Sequence, residues 1–234
     1  MKKLSIPLLL IASSAYADVS ILDTISSDAV WAPTSGVYIL ENFVVVPAGV
    51  TLTIAPGTII KARVGQGMLD VFGTLLAHGD STNKIYFTST RDDSVGGDTN
   101  GDGIASLPST TDWNGIIFHE GSVGDISHTI IRYSGASIGP TGPTGSGRSA
   151  IFNLGGAVSM DSISFFDNFV SDVYQSAGSL TATKSSFHNQ QYGIIFDGGT
   201  GLISQSIFDS LGIPSNGIDN RSGVIIDARD NWWG

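Results

Sequence analysis

The segments GAVSMDSISFFDN (156–168) and GSLTATKSSFHNQ (178–190) align without a gap at a spacing of 22 residues. In this alignment most inward apolar residues match apolar residues, as Phe165 matches Phe187, whereas Ile163 matches Ser185. Alternation of apolar and polar residues within each segment is typical of short strands. A fixed spacing of this length is the signature of a repeat architecture.

The same repeat extends in both directions along the chain. A shift of 22 carries Ile151 to Val173 and then to Ile195, and another carries Leu180 to Leu202. Upstream, GDISHTIIRYSG (124–135) has the same internal spacing but lies 32 residues before its counterpart. The ten extra residues match GPTGPTGSGR (139–148), which is a loop by composition. We interpret residues 139–148 as an insertion in one turn.

A strand repeat of this length predicts a parallel β-solenoid. Each unit holds two or three short strands and cannot bury its apolar face alone, so units stack at the ~4.8 Å spacing of paired strands. We therefore predict an all-β parallel β-helix over residues 44–234, preceded by an N-terminal cap region at 18–43. A β-sandwich also has short strands and turns. The gap-free repeat with matched apolar columns disfavours it.

The N-terminus has the pattern of a secretory signal peptide. Lys2 and Lys3 precede an apolar run, Leu4 to Ile11, and Ala15-Tyr16-Ala17 is an A-x-A cleavage site. We predict that residues 1–17 are removed after Ala17 and that the protein is secreted, extracellular or periplasmic. The apolar run is too short to span a bilayer, so no membrane insertion is expected.

The amino-acid composition limits the classes of partner that the protein is expected to bind. The 234-residue chain carries 21 Asp and Glu against 11 Lys and Arg, a net charge of −10, and it has no cysteine. Such a negative charge argues against a nucleic-acid partner. It suits cation binding, or simple solubility outside the cell. The sequence leaves the oligomeric state open.

Four stretches resemble a known group of proteins. They are VVVPAGVTLTIAPGTIIKA (44–62), GTLLAHGDSTNKIYFTS (73–89), DWNGIIF (112–118) and DNWWG (230–234). Together they resemble the secreted bacterial right-handed parallel β-helix proteins of the pectin-lyase-like fold. The resemblance implies a right-handed helix. Many members of that group look like non-catalytic modules of cell-surface or secreted proteins, so the resemblance does not by itself imply an enzyme.

Residues 90–111, the acidic loop, form a second predicted insertion. Within them Asp98-Thr99-Asn100-Gly101-Asp102-Gly103 is D-x-N-x-D-G, the first half of an EF-hand-type calcium loop. The full motif fails, since its twelfth position is Ser109 rather than Glu. A solvated turn is the alternative. We predict a Ca²⁺ site, and its candidate ligands are Asp98, Asn100, Asp102 and the carbonyl of Ile104, completed by Asp92, Asp93 or Asp112.

Catalytic residues are not predicted. Pectin-cleaving hydrolases of the resembled fold carry Asp-Asp, Gly-His-Gly and Arg-x-Lys elements, whereas the one adjacent Asp pair here, Asp92-Asp93, lies in the acidic loop. Lyases of the fold use an Arg or Lys base beside calcium carboxylates, and Arg132 and Lys184 are the candidates on the aligned segments. The favoured function is a calcium-stabilised structural or recognition module, with an extracellular polysaccharide or a cell-surface component as partner. The alternative is a calcium-dependent polysaccharide lyase or glycoside hydrolase.

Overall fold

The computed structural model describes residues 17–136, 148–188, 191–209 and 216–234. The predicted signal peptide apart from Ala17, and the predicted insertion 139–148 apart from Arg148, lie outside the described residues. Within the described part of the chain the secondary structure is strand, with a single 3₁₀ turn at Pro33–Ser35 and no α-helix. The chain is therefore all-β, as predicted.

In chain order the strands are β1 (Val19–Ile21), β2 (Ala29–Trp31), β3 (Tyr38–Leu40), β4 (Phe43–Val46), β5 (Thr51–Ile54), β6 (Ile59–Ala62), β7 (Met68–Val71), β8 (Thr74–His78), β9 (Ile85–Ser89), β10 (Ile116–Phe118), β11 (Val123–Ser127), β12 (Thr129–Arg132), β13 (Ser149–Asp161), β14 (Ser164–Phe166), β15 (Ser171–Thr183), β16 (Ser186–His188), β17 (Tyr192–Phe196), β18 (Thr200–Ser204), β19 (Ile207–Phe208), β20 (Asn216–Asn220) and β21 (Trp232–Trp233).

These strands form two parallel sheets. The nine-stranded sheet has the order β1-β3-β6-β9-β12-β14-β16-β19-β21. The twelve-stranded sheet is strongly curled, because the first half of β13 pairs with β10 while its second half pairs with β11. Successive strands of each ladder come from successive passages of the chain. This arrangement is consistent with the predicted parallel β-helix.

The register confirms the central alignment and corrects its extensions. Phe165 pairs with Phe187, as predicted. Val173, however, pairs with Ile194 rather than Ile195. The passage after β15 is one residue shorter than 22, so the predicted match of Leu180 to Leu202 is wrong in the same way: Leu180 pairs with Gly201.

The upstream alignment also needs a correction. Ile131 pairs with Phe165, an offset of 34 residues rather than 32. Two more residues than predicted therefore separate the paired positions. The apolar spacing within 124–135 does not reveal this, because a shift of two keeps every strand side chain on the same face.

The core lies between the sheets and is built from columns of stacked side chains. One column continues from Phe165 and Phe187 to Phe208 and Trp233, with consecutive ring centroids 4.6–5.3 Å apart. Alternate residues on the strands face outward. Each fully buried aromatic side chain contributes about 2–3 kcal/mol of hydrophobic stabilisation, so the columns supply much of the driving force for folding.

A second repeated feature is the corner that leads into the nine-stranded sheet. A single residue with positive φ separates the twelve-stranded sheet from the nine-stranded sheet at five successive passages. These residues are His128, Ser162, Lys184, Gln205 and Asp230, with φ between 45° and 59°. The motif DNWWG is one such corner: Asp230 makes the turn, and the Asn231 side chain accepts a hydrogen bond from the Ser206 backbone N–H at 2.9 Å.

The predicted cap region, residues 18–43, is continuous with the sheets. Its strand β3 pairs with β6, and its strand β2 pairs with β5. Trp31 is buried and stacks on Tyr38 with a ring-centroid distance of 4.8 Å. The N-terminal residues therefore extend the ladders, and Trp31 and Tyr38 add a stacked aromatic pair to the core.

Candidate functional site

The acidic loop, residues 90–111, contains no strand and lies against the outer surface of the nine-stranded sheet. Gly96 marks the close approach, because a Cβ at this position would lie 2.8 Å from the Val37 side chain and 3.4 Å from Ile59. Its φ of 67° is also one that glycine adopts most readily. The loop thus covers outward residues of β6 and its neighbours.

Asp92 attaches the beginning of the loop to the sheet. The Arg132 Nε donates to Asp92 Oδ2 at 2.7 Å, and the hydroxyls of Thr88 and Ser94 donate at 2.5 and 2.6 Å. Burial alone would raise the pKa of Asp92. The hydrogen bonds from Ser94 and Thr88 and the Arg132 charge outweigh burial, so this pKa lies below its ordinary value.

Asp112 attaches the end of the loop in a similar way. Its Oδ2 accepts hydrogen bonds from the Ser89 hydroxyl at 2.6 Å and from the Ser109 backbone N–H at 3.2 Å. Its Oδ1 accepts from Arg91 at 3.1 Å. Asp92 and Asp112 are thus both engaged by arginines. Their roles as completing metal ligands remain a prediction.

Lys61 is the residue of this region that the sequence reading missed. Its side chain points outward from β6, between the inward Ile60 and Ala62, yet it is 0% exposed because the acidic loop covers it. The Nζ donates to the Gly97 carbonyl oxygen at 2.5 Å. Burial lowers the pKa of Lys61, and the charges of nearby aspartates, Asp92 first, oppose that shift. Nothing local in the sequence of β6 distinguishes this lysine from an exposed one.

Three carboxylates of the loop converge. Asp93, Asp98 and Asp102 can each offer an oxygen, and these oxygens lie within 4.8 Å of one another. Asp93 is partly buried, and its Oδ1 is buried with no hydrogen-bond partner among the described residues. An orphaned buried carboxylate oxygen is costly unless a cation or another donor reaches it.

The loop backbone holds Asp98 in place. The Gly101 N–H donates to Asp98 Oδ1 and the Gly103 N–H donates to Asp98 Oδ2, each at 2.8 Å. The backbone hydrogen bond from Gly103 is the main reason that the pKa of Asp98 lies below its ordinary value. Both glycines have positive φ, 75° and 69°. The glycines of D-x-N-x-D-G are therefore needed for the curl that aims two N–H groups at one carboxylate.

The remaining predicted ligands lie around this group. Asn100 Nδ2 donates to Asp102 Oδ2 and to the Ser106 hydroxyl, each at 3.0 Å. The Ile104 side chain is 90% exposed. The groups available to a metal ion are thus carboxylate oxygens, with the Asn100 side-chain amide beside them. Hard oxygen donors of this kind suit Ca²⁺ or Mg²⁺ rather than a softer metal.

Next to the loop, the outer surface of the nine-stranded sheet has an open depression of about 440 Å³. Ile59, Tyr86 and Ile130 form its floor, and the turn Ser81–Lys84 forms one side. The Arg132 guanidinium lies 5.8 Å from the centroid of the Tyr86 ring. Aromatic and apolar side chains are therefore combined here with hydroxyl, amide and amino groups.

The two residues considered as lyase bases are both paired with carboxylates. Arg132 bonds to Asp92, and Lys184 Nζ lies 3.4 Å from Asp161 Oδ1. Arg132 also donates to the Ser94 hydroxyl at 2.6 Å. In this geometry Arg132 links the sheet to the acidic loop.

Comparison of the chain with protein-family models, with curated proteins and with solved structures gave no match. Across the described residues there is no helix with the length and hydrophobicity that crossing a membrane requires. The case for a function therefore rests on the sequence and the geometry of the chain itself.

Proposed function

We propose that the chain is a right-handed parallel β-helix that is exported and acts outside the cytoplasm as a non-catalytic structural or recognition module stabilised by calcium. The parallel, in-register passages of the chain support the β-helix. Its handedness and the export rest on the resemblance and on the N-terminal sequence pattern.

The convergence of Asp93, Asp98 and Asp102 is the observation that carries the calcium proposal. Arg91 and Arg132 pair with Asp112 and Asp92 at the base of the loop. Among the described residues, Asp93, Asp98 and Asp102 meet without a basic side chain among their hydrogen-bond partners, and the nearby Lys61 donates its hydrogen bond to the Gly97 carbonyl instead. When bound, Ca²⁺ supplies the positive charge that relieves their repulsion. Outside the cell calcium is roughly millimolar and sites with dissociation constants of about 10⁻⁴–10⁻³ M fill.

The recognition role is assigned to the depression beside the loop. Its Tyr86 ring and the polar turn Ser81–Lys84 are the kinds of groups that stack on and hydrogen-bond a sugar ring. An extracellular polysaccharide or a cell-surface glycan is therefore the proposed partner.

Affinity electrophoresis through gels containing neutral or acidic polysaccharides, with millimolar calcium present, tests this assignment. The wild-type protein should be retarded by at least one polysaccharide, and Tyr86→Ala should migrate freely. Tyr192→Ala is the matched control, because Tyr192 also lies beneath an arginine, with Arg221 5.5 Å from its ring centroid. Equal retardation of wild type and Tyr86→Ala, or no retardation by any polysaccharide, would contradict the assignment.

The same polysaccharides test the non-catalytic part of the proposal. A lyase releases unsaturated products that absorb in the ultraviolet, and a hydrolase releases reducing ends. Neither signal should rise with time when calcium is present. Turnover by the purified wild-type protein would refute the proposal that the protein is non-catalytic and would show that it is a polysaccharide-degrading enzyme.

A further inference from the structure

Three Asn-Gly pairs occur in the chain, at Asn100-Gly101, Asn114-Gly115 and Asn216-Gly217. Asn-Gly is the dipeptide most prone to deamidation, because glycine leaves its backbone nitrogen open to approach by the asparagine side chain. Whether the reaction occurs in a folded protein depends on water access and on freedom of the backbone. The structure separates Asn114 from Asn100 on both counts, and Asn216 from Asn100 on the freedom of the backbone.

The backbones of Asn114 and Asn216 are both paired with neighbouring passages of the chain. Asn114 is 0% exposed, its backbone N–H donates to Gly67 at 3.0 Å, and a Cβ on Gly115 would lie 2.6 Å from the Ala150 carbonyl oxygen. Asn216 pairs with Tyr192 in a parallel ladder, and a Cβ on Gly217 would lie 2.8 Å from the Trp233 ring. Both glycines are packed closely against neighbouring passages of the chain, which restricts the backbone change that the reaction needs.

Asn100 differs in each respect. It lies in the acidic loop outside the ladders, is partly exposed, and precedes Gly101, around which no atom lies within 4 Å of a built Cβ. The Gly101 N–H is bonded to Asp98 Oδ1 at 2.8 Å, but this contact is at the surface, where water can replace it.

We propose that Asn100 is a site of spontaneous deamidation in the folded protein. The Gly101 nitrogen attacks the Asn100 side-chain carbonyl carbon, forming a C–N bond while its proton passes to solvent. The bond to Nδ2 breaks, and the nitrogen takes up a proton and leaves as ammonia. Water then opens the resulting succinimide at either carbonyl, giving aspartate or isoaspartate at position 100.

The product changes the charge of the loop. Asn100 Nδ2 now donates to Asp102 Oδ2 and Ser106, and the reaction replaces this donor by a further carboxylate beside Asp98 and Asp102. The modified loop should depend more strongly on a cation. This consequence rests on the proposed calcium role, whereas the modification itself does not.

Peptide mapping by mass spectrometry, after incubation of the full chain at mildly alkaline pH with a chelator, tests the proposal. The peptide containing Asn100 should gain the mass of an amide-to-acid exchange and become a substrate for isoaspartyl methylation, while the Asn114 and Asn216 peptides stay unmodified. In urea all three should react, which shows that the fold makes the selection. Asn100→Gln should remove the modified peptide.

Two results would overturn the proposal. One is an intact Asn100 in the folded chain under conditions where the urea-unfolded chain is modified. The other is modification of Asn114 or Asn216 in the folded chain as fast as that of Asn100. Because mapping is done without calcium, a failure of the calcium proposal leaves both readouts unchanged.

Discussion

Arg132 on β12 donates to Asp92, forty residues earlier in the chain, with 2.7 Å between Arg132 Nε and Asp92 Oδ2. Asp92 is buried, and the Arg132 side chain is largely so. This ion pair joins the acidic loop to a strand of the next passage. The loop is therefore part of the folded structure. Asp92 and Asp112 are hydrogen-bonded to arginines, whereas Asp93, Asp98 and Asp102 have no arginine among their hydrogen-bond partners in the described part of the chain.

Asp92→Asn should destabilise the protein at neutral pH. The substitution removes the negative partner of Arg132 in a buried setting, at a cost of about 3 kcal/mol. Urea unfolding measures this change. Asp125→Asn is the control, since Asp125 pairs with His78 at 3.0 Å with both side chains about half exposed, and its loss should cost less than about 1 kcal/mol. Equal effects of the two substitutions would show that the Arg132–Asp92 pair contributes no more than a surface pair.

Because the pKa of Asp92 is lowered, we also expect the stability of the protein to depend on pH. The folded pKa of Asp92 lies below its ordinary value of 3.8, so the unfolded chain binds its proton more tightly. The stability contributed by Asp92 is therefore complete above that value and is lost as the pH falls through the lowered folded pKa. Acid unfolding of wild type should be steeper in this range than that of Asp92→Asn. If the acid-unfolding curves of wild type and Asp92→Asn are parallel, Asp92 does not contribute this pH-dependent stability.

Lys61→Met should also destabilise the chain, despite adding an apolar side chain of similar length. It leaves the Gly97 carbonyl without its donor and removes the charge that faces Asp92 and Asp93, and together these cost about 2 kcal/mol. Lys84→Met is the matched control on the neighbouring turn and should change the free energy of unfolding by no more than about 0.5 kcal/mol. A stabilised Lys61→Met protein would show that the buried ammonium is not needed to hold the loop.

Glycine at a corner should stabilise rather than weaken the protein. Lys184 has a φ of 49°, which costs a side-chain-bearing residue about 1–2 kcal/mol. Its exposed contact with Asp161 offsets little of this. After the entropy cost of glycine, Lys184→Gly should gain about 0.5–1 kcal/mol. Thr183→Gly, one residue earlier on β15, should lose about 1–2 kcal/mol, because it adds the entropy cost of glycine and removes the Thr183 hydroxyl that donates to Asp161 at 2.8 Å. A loss in both variants would contradict the strained-corner account.

The strand ladders could be predicted from the sequence because each inward column needs an apolar residue at the same position of every passage. Phe165 must stack on an equivalent residue of the next passage, and at 22 residues Phe187 fits. The one-residue error is already present at β17, where Ile194 and Ile195 are adjacent, and it continues at β18, where Leu202 and Ile203 are adjacent. Hydrophobicity alone does not choose the register between two adjacent aliphatic residues. Ile203 is buried and Leu202 is exposed.

The candidate site was predictable only in part. The local motif indicated Asp98 and Asp102, because their spacing and the glycines between them act over a few residues. The burial of Lys61 and the pairing of Asp92 with Arg132 depend on where a loop comes to rest across several strands. No local pattern encodes such contacts.

Thermal unfolding with and without millimolar calcium, on wild type and on Asp93→Asn, tests the calcium-stabilised module most directly. Calcium should raise the Tm of the wild-type protein, and EDTA should reverse the rise. Asp93→Asn should unfold at a higher temperature than wild type in EDTA, because repulsion with Asp98 and Asp102 is relieved, and should lose most of the calcium response. Glu120→Gln, an exposed change of the same charge elsewhere, should keep that response. A wild-type Tm that is the same in calcium and in EDTA would contradict the account.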